Sequence, residues 1–485
     1  MTAPASNAPG PLKLLEFPKA SAEDWLDLVK ASLKGAPFEG LRSTTADGIV
    51  IEPLYRAADS APRLDARPAP AADPERPWDL RVIVAHSDPA RAAAEAVEAL
   101  EGGAASVLLR LDPEGRGGTA VHDLDSLARA LKGVMLDAAP VVLEAGFAGF
   151  RAADWLAVLA KGAPQARLGF HLDPLSAFAE SGASPGPISA HVAASAQTAA
   201  RHASAYPKAT YFLASGRVVH EAGGSDGQEL GVMAAAALAY AKAGVEAGLS
   251  MRQAFEGIVL GLSVDQAYLE GAAKLRAARG IWARLSAACG VEAPARVEAR
   301  SSRRMLSKLD PWSNLMRLTA AGFAAGVGGA DAVALEPFTA PLGAPGELAR
   351  RQARNIQLVL MQEAHLGRVA DPAGGAWCVE ALTDELARAG WAVFQEIERR
   401  GGILAALESG FIAGEVARVR AGRPAPVIVG ASKFQDKDPK PVAVDQAQPK
   451  AAPRPVELRQ PGDDNRCPPL APIRFSEPFE AEAGR

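Results

Sequence analysis

The chain has 485 residues, 48% of them hydrophobic and 22% charged, with a formal net charge of -4. These proportions describe an ordinary globular chain, and the slight acidic excess argues against a general nucleic-acid binder, which carries surplus basic charge. Cys289, Cys378 and Cys467 lie far apart and form no CxxC pair, which suits a reducing, cytoplasmic setting. The first twenty residues lack the basic start and apolar core of a secretory signal. The uncharged run at residues 318–330 is too short and too rich in Gly and Ala to span a membrane.

In chain order, residues 1–16 read as a loose arm. Trp25, Leu28, Val29 and Leu33 then fall at helical spacing up to Gly35. A turn and short strand follow within residues 44–55. Residues 56–75, rich in Pro and Ala, read as an extended linker. Beyond it the pattern alternates, with strands expected at 82–85, 106–111, 141–144, 168–172, 209–214 and 258–264. Helices are expected between them at 90–100, 124–136, 155–159 and 232–243, and after them at 267–289. The alternation indicates βαβ units on a parallel sheet, and their number favours closure into a (β/α)8 TIM barrel.

Ile356, Val359 and Leu360 open a further helix, which Asp371-Pro372-Ala373-Gly374-Gly375 breaks. Leu382, Leu386, Val393 and Ile397 form the stripe of the next helix, stopped by Gly401-Gly402. Short helices are expected at 403–411 and 415–420. Pro, Lys, Asp and Gln accumulate over 421–485 without a periodic apolar face, so this part reads as tail or wrapping segment. The expected organisation is an arm and linker at 1–75, a barrel at 76–420 and an extended tail at 421–485.

Four segments occur in order: RN-x-QL from Arg354, DP-x-GG from Asp371, W-x-VE-x-LT from Trp377 and F-x-EIE-x-x-GG from Phe394. Together they resemble the methylmalonyl-CoA mutase family. Thr45, Asp47-Gly48 and Pro53-Leu54-Tyr55 are similar to the family segment that wraps onto a partner subunit. The resemblance, which covers residues 17–480, implies a (β/α)8 barrel built as a substrate chamber and adenosylcobalamin as cofactor.

The reactive positions depart from the family's catalytic chains, which carry Y-x-x-RPWT-x-R-x-Y. Arg76, Pro77, Trp78 and Arg81 stand here, but Asp73, Asp79 and Ile83 replace the first tyrosine, the threonine and the second tyrosine. Val218 occupies the thioester-binding His position of SGYH-x-x-EAG, and the GT-x-QND segment is missing between Asp173 and Tyr206. In R-x-H-x-Q, Glu298 and Arg300 replace the His and the Gln. None of the seven histidines follows an Asp by two residues, as the cobalt-ligating D-x-H-x-x-G loop requires.

Residues 301–312 and 323–332 resemble the family's small (β) subunit, whose barrel binds no cobalamin. The resemblance implies a heterodimer with a large catalytic subunit, which carries adenosylcobalamin and interconverts methylmalonyl-CoA and succinyl-CoA in propionate metabolism. It implies no catalytic, cofactor-binding or metal residue in this chain. Many small subunits keep a degenerate cobalamin-like domain at the C-terminus, and this chain is expected to lack it. The alternative is an active acyl-CoA mutase core working with a separate cobalamin-binding chain. A barrel repurposed for another CoA or phosphate ligand is a third reading.

Other constellations have plainer explanations. His86-Ser87-Asp88 holds the letters of a triad, but Ser87-Asp88-Pro89 is a helix N-cap with Pro in the first turn. His171 and Asp173 alternate on a strand and could share a metal, though no third ligand is visible. Arg217 and His220 could hold a phosphate or CoA fragment at a barrel mouth, against a structural salt bridge at a strand end. His220-Glu221 is not HExxH, because residue 224 is Gly. Gly322, Gly326, Gly328 and Gly329 read as close helix packing.

Overall fold

The computed structural model describes residues 20–64, 73–112, 117–438, 440–445 and 462–483. Contacts divide the chain into two units, Met1–Leu54 and Tyr55–Arg485. In the first, Ser21 caps the helix Ala22–Leu33: its hydroxyl accepts from the Asp24 N–H, and the Asp24 carboxylate accepts in return from the Ser21 N–H. Ser43–Thr44 pairs antiparallel with Val50–Ile51. No residue of the helix is buried, and Leu28 is 70% exposed.

The second unit holds a closed barrel of eight parallel strands. They are β1 (Asp79–Val84), β2 (Ser106–Arg110), β3 (Val141–Glu144), β4 (Leu168–Leu172), β5 (Thr210–Ser215), β6 (Ile258–Val264), β7 (Val297–Ser301) and β8 (Ala332–Ala334). The principal helices after each strand are α1 (Pro89–Glu101), α2 (Leu124–Ala130), α3 (Gly149–Leu159), α4 (Ile188–His202), α5 (Asp226–Glu246), α6 (Tyr268–Ala288), α7 (Ser313–Val327) and α8 (Glu347–Leu358). β8 pairs with both β7 and β1, which closes the ring. Asp88 caps α1 by accepting from the Ala90 N–H, as the Ser-Asp-Pro spacing predicts. Val107, Leu108, Leu109, Val141 and Leu143 are wholly buried, as strands covered on both faces must be.

Two strands are absent from the sequence expectations. β7 carries Glu298 and Arg300, which interrupt its apolar run, and β8 is only three residues long. The helix expected from residue 155 begins at Gly149, and that expected through residue 136 ends at Ala130.

α8 runs on into one π-helical turn, Val359–Glu363, and the loop at 371–375 delivers the chain into α9 (Trp377–Arg399). Leu382, Leu386 and Ile397 are buried on α9 as their spacing predicts, joined by Gly390 and Phe394, while Val393 stays partly exposed. α9 packs against α5 and α6. A Cβ added at Gly390 would lie 2.6 Å from the Leu230 side chain, so only glycine permits this approach of α9 to α5.

A buried ion cluster fixes the loop. Arg276 of α6 is wholly buried, pairs with Asp371, donates to Glu380 at 2.7 Å and reaches the Leu64 carbonyl at 3.2 Å. Glu380 also accepts the Gly375 N–H at 2.9 Å and the Leu64 N–H at 3.2 Å. Desolvating a guanidinium is tolerable only with such pairing. Arg276→Met would strand two buried carboxylates, and urea unfolding should show a loss of about 3–5 kcal/mol. A loss below about 1 kcal/mol, the scale of a surface pair, would refute the assignment.

Candidate functional site

Charged side chains from several strands meet inside the barrel. Arg81 of β1 holds Asp79 at 2.6 Å and pairs with Glu298 of β7, which also accepts from Arg300 Nε at 2.7 Å. Arg300 reaches Glu144 of β3, and Glu144 accepts from Arg110 Nε of β2 at 2.7 Å. Arg110 stands 3.5 Å from Glu336, which Arg303 holds at 3.0 Å. β3 and β7 are four strands apart in a ring of eight, so the Arg300–Glu144 pair spans the lumen.

An alternating row of four arginines and three glutamates therefore occupies an interior that such barrels ordinarily fill with Val, Ile and Leu. Burial opposes ionisation of Glu298, Glu144 and Glu336. The adjacent arginines overcome it, holding all three below the usual carboxylate range and Glu336 at about 2.

Above this row, at the C-terminal ends of the strands, lies a cavity of about 500 Å³. His171 and Asp173 both line it, but not by simple strand alternation. The β4–β5 register shifts between Gly169 and Leu172, and His171 takes a left-handed φ of 42°. Such strain at a bulge re-aims a side chain. Burial, with Arg81 and Arg300 nearby, lowers the His171 pKa to about 3 despite the opposing field of Glu298, so the imidazole is neutral.

Asp173 caps the helix Pro174–Ser181 through the Ser176 N–H and accepts from the Tyr240 hydroxyl at 2.7 Å. Burial lifts its pKa to about 6. Val218 and Arg217 also line the cavity. Arg217 makes no ion pair among the described residues, and its pKa is lowered, by burial first and then by Arg300.

The C-terminal segment crosses this face of the barrel. Leu470 N–H donates to Ala179, Ile473 N–H to Glu221 and Phe475 N–H to Arg304, all carbonyls in the segments that follow β4, β5 and β7, the first two in short helices. Leu470 is buried and, with Pro472, forms part of the cavity wall.

The structure separates Arg217 from His220. His220 lies in a buried cluster with Asp226 and Glu229 of α5, whose carboxylates have the proximity a metal would need. Lys274 of α6 supplies the cation instead, at 2.7 Å from Asp226 and 2.6 Å from Glu229. Arg304 and Asp265 pair beside them at 2.9 Å. His86 accepts the Asp88 N–H, so those letters build a cap rather than a triad.

The retained tryptophan has a packing role. Trp78 donates to Gln357 of the RN-x-QL helix at 3.0 Å, and its ring lies 2.9 Å from where Gly326 would carry a Cβ. Sequence reading missed Arg110, Glu144 and Glu336 as site residues. The available signal was a charged residue ending, or closely following, three otherwise apolar strands.

The barrel, with its ionic lumen and its cavity on the catalytic face of the fold, defines a member of the α/β-barrel class. Residues 68–460 match the methylmalonyl-CoA mutase family, and the chain belongs to it. It is 37% identical to the methylmalonyl-CoA mutase small subunit of Streptomyces virginiae, over 97% of this chain and 77% of that one. It is 38% identical to a probable small subunit of Mycobacterium bovis, covering 81% of this chain and 65% of that one. With the small subunit of Propionibacterium freudenreichii subsp. shermanii the identity is 32%, over 80% and 63% of the two chains. The chain thus spans about two thirds to three quarters of these relatives, and its similarity lies with the small-subunit branch. No helix among the described residues is long and apolar enough to cross a membrane.

The raised Asp173 pKa makes a signed prediction. Below about pH 4 both folded and unfolded chains are protonated there and nothing is lost. As pH rises toward 6 the unfolded chain releases a proton that the folded chain retains, so stability falls. Asp173→Asn keeps the cap but removes this penalty. Relative to wild type it should gain roughly 1–3 kcal/mol between about pH 4 and pH 7.5, read from urea midpoints. A pH-independent difference would contradict the assignment.

Proposed function

We propose that this chain is the non-catalytic small subunit of an adenosylcobalamin-dependent mutase, working in the cytoplasm. Its partner is a large catalytic chain that interconverts methylmalonyl-CoA and succinyl-CoA in propionate metabolism. The observation that carries the reading is the Arg300–Glu144 pair across the lumen, continued by Arg81–Glu298 and Arg110–Glu336. A substrate arm threading the barrel would have to break paired charges in a low dielectric, at a cost of several kcal/mol each.

The residues at the mouth do not fit a corrin. The segment around Leu470–Phe475 is hydrogen-bonded over the rim segments after three of the strands. The alternative, an active core served by a separate cobalamin-binding chain, needs an open chamber and gains no support from this interior. The N-terminal unit supports a partner. Its helix buries no residue, and Leu28, Val50 and Leu54 present exposed apolar surface that a docked subunit would cover.

The test is co-purification of the tagged chain, with the partner identified by mass. A long chain active with adenosylcobalamin only in the complex is expected. Deleting residues 1–54 should weaken association at least about tenfold, the effect of losing about 1.4 kcal/mol, while leaving barrel melting unchanged. Turnover by this chain alone, or a short cobalamin-only partner, would overturn the reading.

A further inference from the structure

Three buried polar atoms at the mouth have no hydrogen-bond partner among the described residues: Arg217 Nε, Arg300 Nη2 and His171 Nδ1. All three residues line the same cavity. Arg300 is wholly buried. Arg110 and Arg303 are paired with Glu144 and Glu336, whereas Arg217 is left without a carboxylate. Asp173 is committed to its cap and to Tyr240, and burial pushes the Glu180 carboxyl up. Glu144, Glu221 and Glu298 act on Arg217 through their fields without forming an ion pair, and burial and Arg300 still leave its pKa lowered.

One part of the wall is aliphatic, formed by Leu143, Leu213, Val218, Leu470 and Pro472, while Asp112, Ser176 and Ser215 line another. We propose that this cavity binds a short aliphatic carboxylate, its oxygens held by Arg217 and Arg300 and its chain lying against Leu213, Val218 and Leu470. A planar carboxylate accepts paired N–H bonds from guanidinium groups, and between two arginines it relieves their mutual repulsion. It also satisfies buried donors that otherwise carry a full desolvation penalty. Phosphate would match the charge but leave the aliphatic wall uncovered. A long thioester arm finds the floor closed by Arg300–Glu144. The inference does not depend on the identity of the partner.

Calorimetric titration of the full chain, without a partner, tests it, using butyrate, inorganic phosphate and CoA as probes. Butyrate should bind saturably with Kd at or below about 1 mM. Arg217→Gln should weaken it roughly tenfold or more, and Arg217→Lys by less. Val218→Phe, which crowds the aliphatic wall without removing a charge, should weaken butyrate binding while the melting temperature reports that the variant is folded. No saturable binding of butyrate, or equal affinity in the Arg217→Gln and wild-type chains, would overturn the proposal. So would tighter binding of phosphate or CoA than of butyrate.

Discussion

The charge pair between Arg300 and Glu144 is the constraint on which the rest of the barrel interior depends. It joins strands on opposite sides of the ring, and losing either partner leaves the other with a single opposite charge. Each neighbour follows from it. Glu298 balances Arg300 and Arg81, Arg110 completes Glu144, and Glu336 balances Arg110 and Arg303. The row shares its charge so that every carboxylate has two arginines. A barrel built this way is a scaffold with a polar spine, and five residues of that spine, Arg110, Glu144, Arg300, Arg303 and Glu336, form part of the wall of the cavity at its mouth.

What this chain shares with its family's catalytic members is packing chemistry. Trp78 seats on Gly326 and bonds Gln357, tying the first strand to the last barrel helix. Asp371 and Glu380 enclose Arg276 and, through Leu64, anchor the segment that leads into the barrel. In this chain these contacts serve folding rather than chemistry. The positions that differ, Asp73, Asp79, Ile83, Val218, Glu298 and Arg300, are those where the family's catalytic chains place reactive groups. Three of them, Asp79, Glu298 and Arg300, now serve the ionic row.

Much of the fold was legible because buried parallel strands are short apolar runs bounded by caps and glycines. Residues 141–144, 168–172 and 258–264 were placed to the residue. β7 and β8 were not legible, since Glu298 and Arg300 hide the first and brevity hides the second. Of the candidate site, the departures from catalytic motifs could be read, but not their consequence. That Glu144 faces Arg300 depends on strand order around a closed ring, which no local pattern encodes. Lys274 and Arg276 on α6 look like solvent-facing helix charges, and only the packing of α5 and α9 reveals them as buried.

The most direct measurement is a double-mutant cycle on Arg300 and Glu144, using Arg300→Met, Glu144→Gln and the pair, followed by urea unfolding. If the two side chains close the lumen together, each single change is costly and the coupling energy is roughly 1–3 kcal/mol. Additive effects, with coupling below about 0.5 kcal/mol, would mean that the charges do not meet across the barrel. The lumen would then be open, and the case for a supporting rather than a catalytic barrel would fail.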